Sequence, residues 1–152
     1  MASNTSGPAG VESGPNPLVL LAEDDVNMRY VLQYLLAREG YQVEPHADGE
    51  QIITRVSTGP PPALVVVDVM MPFVGGIEVV KSIRATRGWE SVPVIVLSGK
   101  SSEEDMVAAF RAGANDYVTK SFRPRELIAR VGALIASSAS SAVSPDASTR
   151  VA

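Results

Sequence analysis

The sequence contains no cysteine, a single histidine and no long apolar run. The absence of cysteine excludes disulfides, thiolate metal sites and a cysteine nucleophile, and it favours a cytoplasmic location. A histidine-based metal or catalytic site needs partners that the single His46 lacks, so we predict a strand-end or surface role for it. No apolar run approaches the roughly 20 residues of a membrane-spanning helix, so we expect no membrane contact.

An excess of basic residues is also missing. The formal net charge is −4 and the pI is about 5.0, whereas a nucleic-acid-binding domain usually carries a basic face. We therefore expect no direct contact with nucleic acid. The first seventeen residues also lack the basic start and apolar centre of a signal peptide.

Both ends of the chain are poor in large apolar residues. Residues 1–16 are rich in Gly, Pro, Ser and Asn, and residues 138–152 are rich in Ser and Ala. Such segments bury too little apolar surface to offset the entropy lost on ordering. We predict that both are disordered, the second serving as a tail or a linker. Residues 17–137 are then predicted to form one domain, which a chain of 152 residues can supply with a real core.

Between the ends, short aliphatic runs alternate with amphipathic stretches. The runs are too short for helices and are continuous, as strands buried on both faces must be. The predicted strands are Leu18–Ala22, Leu64–Val67 and Val94–Leu97, with weaker candidates at Tyr41–Val43 and Tyr117–Thr119. The predicted helices are Met28–Arg38, a helix capped by Asp48 and ending near Ser57, Ile77–Arg87, Glu103–Ala112 and Arg125–Ala136. These alternations predict an α/β fold, a doubly wound five-stranded parallel sheet with five helices.

Polar side chains stand where four of the predicted strands end. They are Glu23 and Asp24 after the first strand, Asp68 after the third, Ser98 after the fourth and Lys120 after the fifth. Open parallel sheets bind ligands outside the carboxyl ends of their strands, so these groups should converge at one edge. Crowded carboxylates repel one another, and a divalent cation relieves that repulsion. Oxygen ligands without histidine or cysteine indicate Mg²⁺, which typically binds one or two carboxylates together with a phosphate.

Each of these residues has a simpler interpretation when taken alone. An acidic residue after a strand is often a helix N-cap or a loop residue. Ser98 alone would be a turn residue, and Lys120 alone a solvated surface lysine. The functional interpretation depends on the set, because an acid cluster, a lone aspartate, a hydroxyl and a lysine end different strands in order.

Four motifs in register resemble a known family: LVLLAEDD, VVVDVMMP followed by GG, VIVLSG, and GANDYVTKSF. From Pro17 to Ser137 the chain resembles the receiver domain of bacterial two-component response regulators. The resemblance implies a flavodoxin-like, CheY-like fold. It also implies a phosphorylation-activated signalling domain, which is not an enzyme that turns over a substrate.

By this resemblance Asp68 is the phosphoacceptor, and its phosphoryl group comes from a sensor histidine kinase or a phosphotransfer protein. The resemblance implies that Mg²⁺ is held by Glu23, Asp24, Asp68 and the backbone carbonyl of Met70. Lys120 is similar to the family lysine that pairs with the phosphoryl group, where its charge would assist the transfer.

The resemblance also implies a conformational switch. Ser98 is expected to turn toward the phosphoryl group, and Tyr117 to rotate inward after it. These movements would change a partner-binding surface formed by the fourth helix, the fifth strand and the fifth helix. That surface is expected to contact a downstream protein effector. The segment GANDYVTKSFRPRELIARV resembles receivers that precede winged-helix DNA-binding domains, so the same surface is a candidate homodimer interface.

Two positions depart from the family pattern. Ser121 follows Lys120, where the family usually has proline after a cis peptide bond. A cis bond before a non-proline residue costs about 2.5–4 kcal/mol. We expect a cis-like geometry with the strain carried by packing of Phe122; the alternative is a trans bond with an altered loop. Gly75 stands where an acidic residue is common, which predicts a more mobile loop.

Two other functions fit parts of the pattern. A pseudo-receiver would bind partners without phosphorylation, and the intact set of site residues argues against it. A Mg²⁺-dependent phosphohydrolase that forms an aspartyl-phosphate commonly has a second acid two residues after the nucleophile, where this chain has Met70. Steady turnover of a phosphoester would favour the phosphohydrolase, and partner binding unaffected by Asp68→Asn would favour the pseudo-receiver.

Overall fold

Five short strands form one parallel sheet in the computed structural model, which describes residues 16–100 and 102–143. The strands are β1 (Leu18–Ala22), β2 (Gln42–His46), β3 (Leu64–Asp68), β4 (Val94–Ser98) and β5 (Asp116–Thr119). They pair in the order β2-β1-β3-β4-β5, so the strand order reverses beside β1. The predicted doubly wound parallel fold is confirmed.

Five helices cover the two faces of the sheet. They are α1 (Val26–Arg38), α2 (Gly49–Thr58), α3 (Gly76–Ala85), α4 (Glu103–Ala112) and α5 (Pro124–Val143). One face packs against α1 and α5, and the other packs against α2, α3 and α4. Every residue of β3 and β4 is buried, because helices cover both faces of these central strands. None of the described helices is both long and apolar enough to span a membrane.

The strand register brings the ends of four strands to one edge of the sheet. In the β1–β3 ladder, Glu23 and Asp68 each lie one step beyond the last paired residues, so they are neighbours. At the β4–β5 ladder, the amide of Lys120 donates to the carbonyl of Ser98 at 2.7 Å. The convergence expected from parallel topology is therefore present.

Helix α5 is longer than its sequence pattern predicts. It begins at Pro124, whose fixed φ suits a first helical position, and it ends at Val143. The prediction that residues 138–143 are disordered is therefore wrong. Alanine is the strongest helix former and serine costs little in a helix, so the Ser/Ala composition allows the extension. The rest of the predicted tails, residues 1–15 and 144–152, lies outside the described residues.

The peptide bond between Lys120 and Ser121 is trans, since the described part of the chain contains no cis peptide bond. The expected cis-like geometry is therefore wrong. The physical reason is the cost of a non-proline cis bond, about 2.5–4 kcal/mol. The chain turns instead, with the amide of Phe122 donating to the carbonyl of Thr119 at 3.1 Å. Phe122 packs against the core beneath α1 and α5, as anticipated.

The loop between β3 and α3 passes close to the strand end at Gly76. The amide of Gly76 donates to the carbonyl of Val69 at 2.9 Å. A methyl group on Gly76 would overlap the carbonyl of Asp68 and lie 2.9 Å from the Cα of Val69. The missing side chain thus lets the loop lie directly against the strand end that carries Asp68.

Gly76→Ala is expected to lower the free energy of unfolding by about 1–3 kcal/mol, because the added carbon forces the adjacent backbone to shift. Urea unfolding followed by circular dichroism measures the loss. Gly132→Ala is the matched control, since its new carbon would meet only the Tyr41 hydroxyl at 3.7 Å. That control should be stabilised by up to about 1 kcal/mol, as alanine is favoured over glycine in a helix. An unchanged midpoint for Gly76→Ala would contradict the prediction.

Candidate functional site

A cleft of about 390 Å³ opens at the carboxyl edge of the sheet. The residues that line it include Asp24, Asp68, Met70, Ser98 and Lys120. Asp68 and Ser98 are each 2% exposed, whereas Asp24 on the rim is open to solvent. The structure therefore brings into one cleft the side chains that the sequence places at four different strand ends.

Lys120 joins the two buried carboxylates of this site. Its Nζ lies 2.9 Å from Asp68 Oδ2 and 3.1 Å from Glu23 Oε2. Burial lowers the pKa of Lys120, but the hydrogen bonds and negative charges of Asp68 and Glu23 outweigh burial, so the net pKa is raised. The lysine is thus held in its charged form between the two acids.

Glu23 is fully buried, and one of its oxygens lacks a hydrogen bond. Its Oε2 accepts the amide of Asp25 at 3.0 Å as well as the ammonium of Lys120. Its Oε1 lies 3.1 Å from the same ammonium, yet outside hydrogen-bond geometry. Burial, reinforced by the charge of Asp68, raises the pKa of Glu23 to about 7 despite these contacts.

Three carboxylates at the cleft are close enough to share a metal ion. Oxygens of Glu23, Asp24 and Asp68 all lie within 4.8 Å of one another. The unbonded Oε1 of Glu23 is a buried acceptor without a donor, and a cation would satisfy it. All three side chains offer oxygen, the ligand atom that hard cations such as Mg²⁺ prefer. The donor set therefore fits Mg²⁺.

Met70 borders the same cleft. Its amide donates to Asp68 Oδ1 at 3.3 Å, and its side chain is 73% exposed. The side chain therefore takes little part in the core. The amide of Met70 therefore lies beside Asp68 at the cleft.

The two predicted switch residues meet at one backbone carbonyl. Ser98 Oγ donates to the carbonyl of Lys100 at 2.8 Å and accepts the Lys100 amide at 3.1 Å. The hydroxyl of the half-buried Tyr117 donates to the same carbonyl at 3.2 Å. Sequence reasoning did not identify Lys100 as this junction, because the acceptor is a main-chain atom that no side-chain pattern reveals.

Two further contacts hold the first acidic segment, and of these the Arg29 contact was not predicted. Arg29 donates to the carbonyl of Glu23 at 2.7 Å, and the carboxylate of Asp25 caps α1 by accepting two main-chain amides. An acidic residue before a helix is a recognisable cap signal, whereas the reach of Arg29 depends on tertiary structure. His46 ends β2 as predicted, with Nε2 2.9 Å from Glu44 Oε2.

Comparison with known families and proteins gives one consistent result. The family model for the response regulator receiver domain matches residues 19–132. The alkaline phosphatase synthesis transcriptional regulatory protein PhoP of Bacillus subtilis is 40% identical over 120 residues, which are 79% of this chain and 49% of that protein. This chain therefore spans about half the length of that relative.

Solved structures are similar over most of the chain. The receiver domain of a Francisella response regulator has a TM-score of 0.74 and 32% identity, with 81% of this chain and 99% of that chain covered. The receiver domain of a Pseudomonas aeruginosa sensor histidine kinase, with a magnesium ion coordinated in its active-site cleft, has a TM-score of 0.74 and 28% identity. In that comparison 80% of this chain and 98% of the other are covered.

The raised pKa of Glu23 predicts a pH-dependent stability in the absence of metal. The pKa of about 7 in the folded protein exceeds the ordinary value of 4.5, so the folded state holds this proton more tightly than the unfolded state. The resulting stabilisation is complete below the ordinary pKa and is lost as the pH rises through the folded pKa. In EDTA, the free energy of unfolding should therefore fall between about pH 5 and about pH 8.

Urea unfolding in EDTA across that pH interval measures the effect. Glu23→Gln is the control, because it keeps the shape of the side chain and removes the titrating proton. The fall in stability should be smaller in this variant than in the wild type. Equal falls in the two proteins would show that Glu23 is not the responsible group.

Proposed function

This chain belongs to the response regulator receiver domain family of two-component systems, and on that premise we propose that Asp68 accepts a phosphoryl group from a phosphohistidine. Response regulators act with histidine kinases, so the proposed donor is a sensor histidine kinase or a phosphotransfer protein. One observation carries the proposal: Asp68 is buried in an open cleft, ion-paired to Lys120, beside an unbonded carboxylate oxygen of Glu23. Such a buried, charge-coupled acid in a cleft is typical of a functional site.

We assign Mg²⁺ to Glu23, Asp24, Asp68 and the backbone carbonyl of Met70. The ion would supply positive charge that offsets repulsion among the carboxylates and the phosphoryl oxygens. Lys120 supplies charge from the protein side, because its ammonium already lies 2.9 Å from Asp68 Oδ2. The ion and Lys120 would therefore both contribute positive charge at Asp68.

The proposed transfer forms one bond and breaks another. A carboxylate oxygen of Asp68 forms a P–O bond while the P–N bond to the donor imidazole breaks. The released imidazole nitrogen keeps the electron pair and then takes a proton from solvent. Lys120 stabilises negative charge on the transferred oxygens, which is the main task of a protein group in phosphoryl transfer.

The new phosphoryl group would compete for the hydroxyl of Ser98. That hydroxyl now donates to the neutral carbonyl of Lys100 at 2.8 Å, and a charged phosphoryl oxygen is a stronger acceptor. Once Ser98 has turned away, the Lys100 carbonyl is left to Tyr117, which already donates to it at 3.2 Å. In this way a charge of about −2 on Asp68 would be transmitted to α4 and β5.

The proposed role is a signalling switch, in which the only chemistry is gain and loss of the phosphoryl group on Asp68. A phosphohydrolase would be expected to carry a second acid two residues later, and Met70 stands there with its side chain 73% exposed. A pseudo-receiver would have no need of the ion pair between Lys120 and Asp68. Both alternatives are therefore less well supported than the switch.

The output is proposed to be contact with a downstream protein effector in the cytoplasm. The Bacillus subtilis relative is named as a transcriptional regulatory protein, and this chain covers 49% of it. We therefore assign any contact with DNA to another domain or partner, and none to the receiver itself.

Incubation with acetyl phosphate and Mg²⁺ is expected to add one labile phosphoryl group, seen as an intact-mass increase. Asp68→Asn and omission of Mg²⁺ should each abolish the adduct, because the first removes the nucleophile and the second removes charge stabilisation. Lys120→Met should slow its formation at least about tenfold, since one charge-stabilising contact is lost. An adduct that persists in Asp68→Asn would locate the phosphoacceptor elsewhere.

Helix α4 presents an exposed apolar surface. Met106, Val107 and Phe110 are 37%, 40% and 45% exposed. On the adjoining elements, Arg130 of α5 bonds Asp116 of β5 at 2.8 Å, so charged groups accompany the apolar ones. We propose this α4-β5-α5 surface as the homodimer interface of the phosphorylated protein, because an apolar patch with polar surroundings is typical of such interfaces.

Sedimentation velocity with Mg²⁺, before and after addition of beryllofluoride, should show a shift from monomer toward dimer. Phe110→Glu should weaken the dimer at least about tenfold, since it places a charge in an apolar contact. Tyr30→Glu is the matched control, an aromatic residue 68% exposed on α1, and it should leave the dimer unchanged. A dimer that tolerates Phe110→Glu would contradict this interface.

A further inference from the structure

Arg84, near the end of α3, uses all five of its side-chain N–H donors. Nε and Nη2 both donate to the carbonyl of Gly113, at 3.0 and 2.8 Å. Nη2 also donates to Asn115 Oδ1 at 2.9 Å. Nη1 donates to the carbonyls of Glu90 at 3.1 Å and Val92 at 2.7 Å. An arginine has five such donors in a fixed planar arrangement, so this set fixes the side chain completely.

These acceptors belong to two different segments. Glu90 and Val92 lie in the connection from α3 to β4, and Gly113 and Asn115 lie in the connection from α4 to β5. Asn115 is itself tied to the sheet, because its Oδ1 accepts the amide of Val94 at 2.8 Å. Arg84 therefore connects the end of α3 to the α3–β4 and α4–β5 connections, at the amino edge of β4 and β5 and opposite the cleft.

Every acceptor of Arg84 is neutral. Among residues 16–100 and 102–143, no carboxylate forms an ion pair with it. Burial lowers the pKa of Arg84, as expected for a cation without a counter-charge. The hydrogen bonds of Arg84 therefore fix the position of its side chain without neutralising its positive charge. They also place a cation at the C-terminus of α4, where the carbonyl ends of the helix point.

The C-terminal turn of α4 is shaped for this side chain. Gly113 is the C-cap, with φ +116°, a left-handed conformation that favours glycine. A carbon added to Gly113 would lie 2.8 Å from the Cγ of Arg84. The arginine therefore packs directly on the turn in addition to bonding its carbonyl.

The body of α4 is held weakly by comparison. Ala109 is its one buried residue, and Met106, Val107 and Phe110 are all more than a third exposed. The opposite end of the helix follows the loop in which Ser98 bonds Lys100 at the cleft. One end of α4 is thus attached to the proposed switch, and the other end to Arg84.

We propose that Arg84 is a positioning residue that fixes the C-terminal end of α4. A change at Ser98 then displaces only the N-terminal half of the helix, and the displacement does not reach Gly113. The inference rests on the proposed function only for its natural trigger, phosphorylation of Asp68. Without this fixed end, the same change would spread through the α4–β5 turn and loosen β5. Restricting the movement to one half of α4 would keep the apolar surface of that helix in a defined place.

Single-residue amide hydrogen exchange on the full chain tests this without a phosphoryl group. The reporters are the amides of Gly113, Ala114 and Asn115, which bond to the carbonyls of Phe110, Ala109 and Val94. Ser98→Ala serves as the trigger, because it removes the hydroxyl that holds Lys100. Its effect is measured with Arg84 present and in the Arg84→Met background, which gives a double-mutant cycle.

With Arg84 present, Ser98→Ala should change exchange at the three reporters by less than about twofold. In Arg84→Met, the same Ser98→Ala change should accelerate their exchange by at least about tenfold. If Ser98→Ala changed the exchange rates by the same factor with Arg84 present and in the Arg84→Met background, Arg84 would be an ordinary structural contact and the inference would be overturned. Arg84→Lys keeps a cation with fewer hydrogen-bond donors, so Ser98→Ala should accelerate exchange by an intermediate factor in this variant. Arg84→Lys replaces Arg84→Met in the experiment if Arg84→Met fails to fold.

Arg55→Met is the matched control, because Arg55 is also a half-buried helix arginine with hydrogen bonds, to Glu44 at 2.8 Å and Pro60 at 2.9 Å. It should leave the reporters insensitive to Ser98→Ala. Adduct formation with acetyl phosphate should be unchanged in Arg84→Met, since this side chain is remote from the cleft. If the wild type formed no adduct, the proposed function would be overturned. The exchange experiment would still test the positioning role of Arg84, because it uses no phosphoryl group.

Discussion

Two carboxylates buried side by side at the ends of β1 and β3 are the constraint on which the rest of the structure depends. Glu23 and Asp68 would repel each other strongly in a site that water reaches poorly. The ammonium of Lys120, 3.1 Å from one and 2.9 Å from the other, keeps them together. That ammonium arrives only because β5 ends at the same edge and the following trans turn, closed by Phe122, holds the chain there. Even so, one oxygen of Glu23 lacks a hydrogen bond. The site can therefore accept a further cation at this oxygen.

The parallel sheet makes this concentration of charge possible. Strands that all run in one direction place their carboxyl ends together, and the register of β1 with β3 sets Glu23 beside Asp68. The two apolar layers beneath α1 and α5, and beneath α2 to α4, supply the stability that an unfavourable polar cluster needs. Because every residue of β3 is buried, the strand that carries Asp68 into the cleft is packed on both faces. The core thus positions the charged site as well as stabilising the fold.

Much of the fold and the site could be predicted from sequence, because each depended on a strong local signal. Unbroken aliphatic runs marked buried parallel strands, and four polar strand ends in order marked the cleft. The end of α5 was misplaced, because a Ser/Ala sequence is compatible with both a helix and a linker. The Lys120–Ser121 bond is trans although the family pattern predicts a cis geometry, because without proline the cis form costs about 2.5–4 kcal/mol. The junction at the Lys100 carbonyl is a main-chain contact, and only tertiary structure reveals it.

The two edges of the sheet are held by different kinds of contact: charged groups at the carboxyl edge and hydrogen bonds to neutral acceptors at the amino edge. At the carboxyl edge, Glu23, Asp68 and Lys120 interact as charges, and such contacts respond strongly when one more charge is added. At the amino edge, Arg84 bonds only neutral acceptors, whose strength changes little when charge changes at a distance. A helix that connects the two edges would therefore respond to charge at one end and, under the proposed role of Arg84, stay fixed at the other. Helix α4, with Ala109 as its single buried residue, is the element so placed. Under the proposed role of Arg84, movement of α4 would be confined to its N-terminal half, and its apolar surface would keep a defined place above an unchanged sheet.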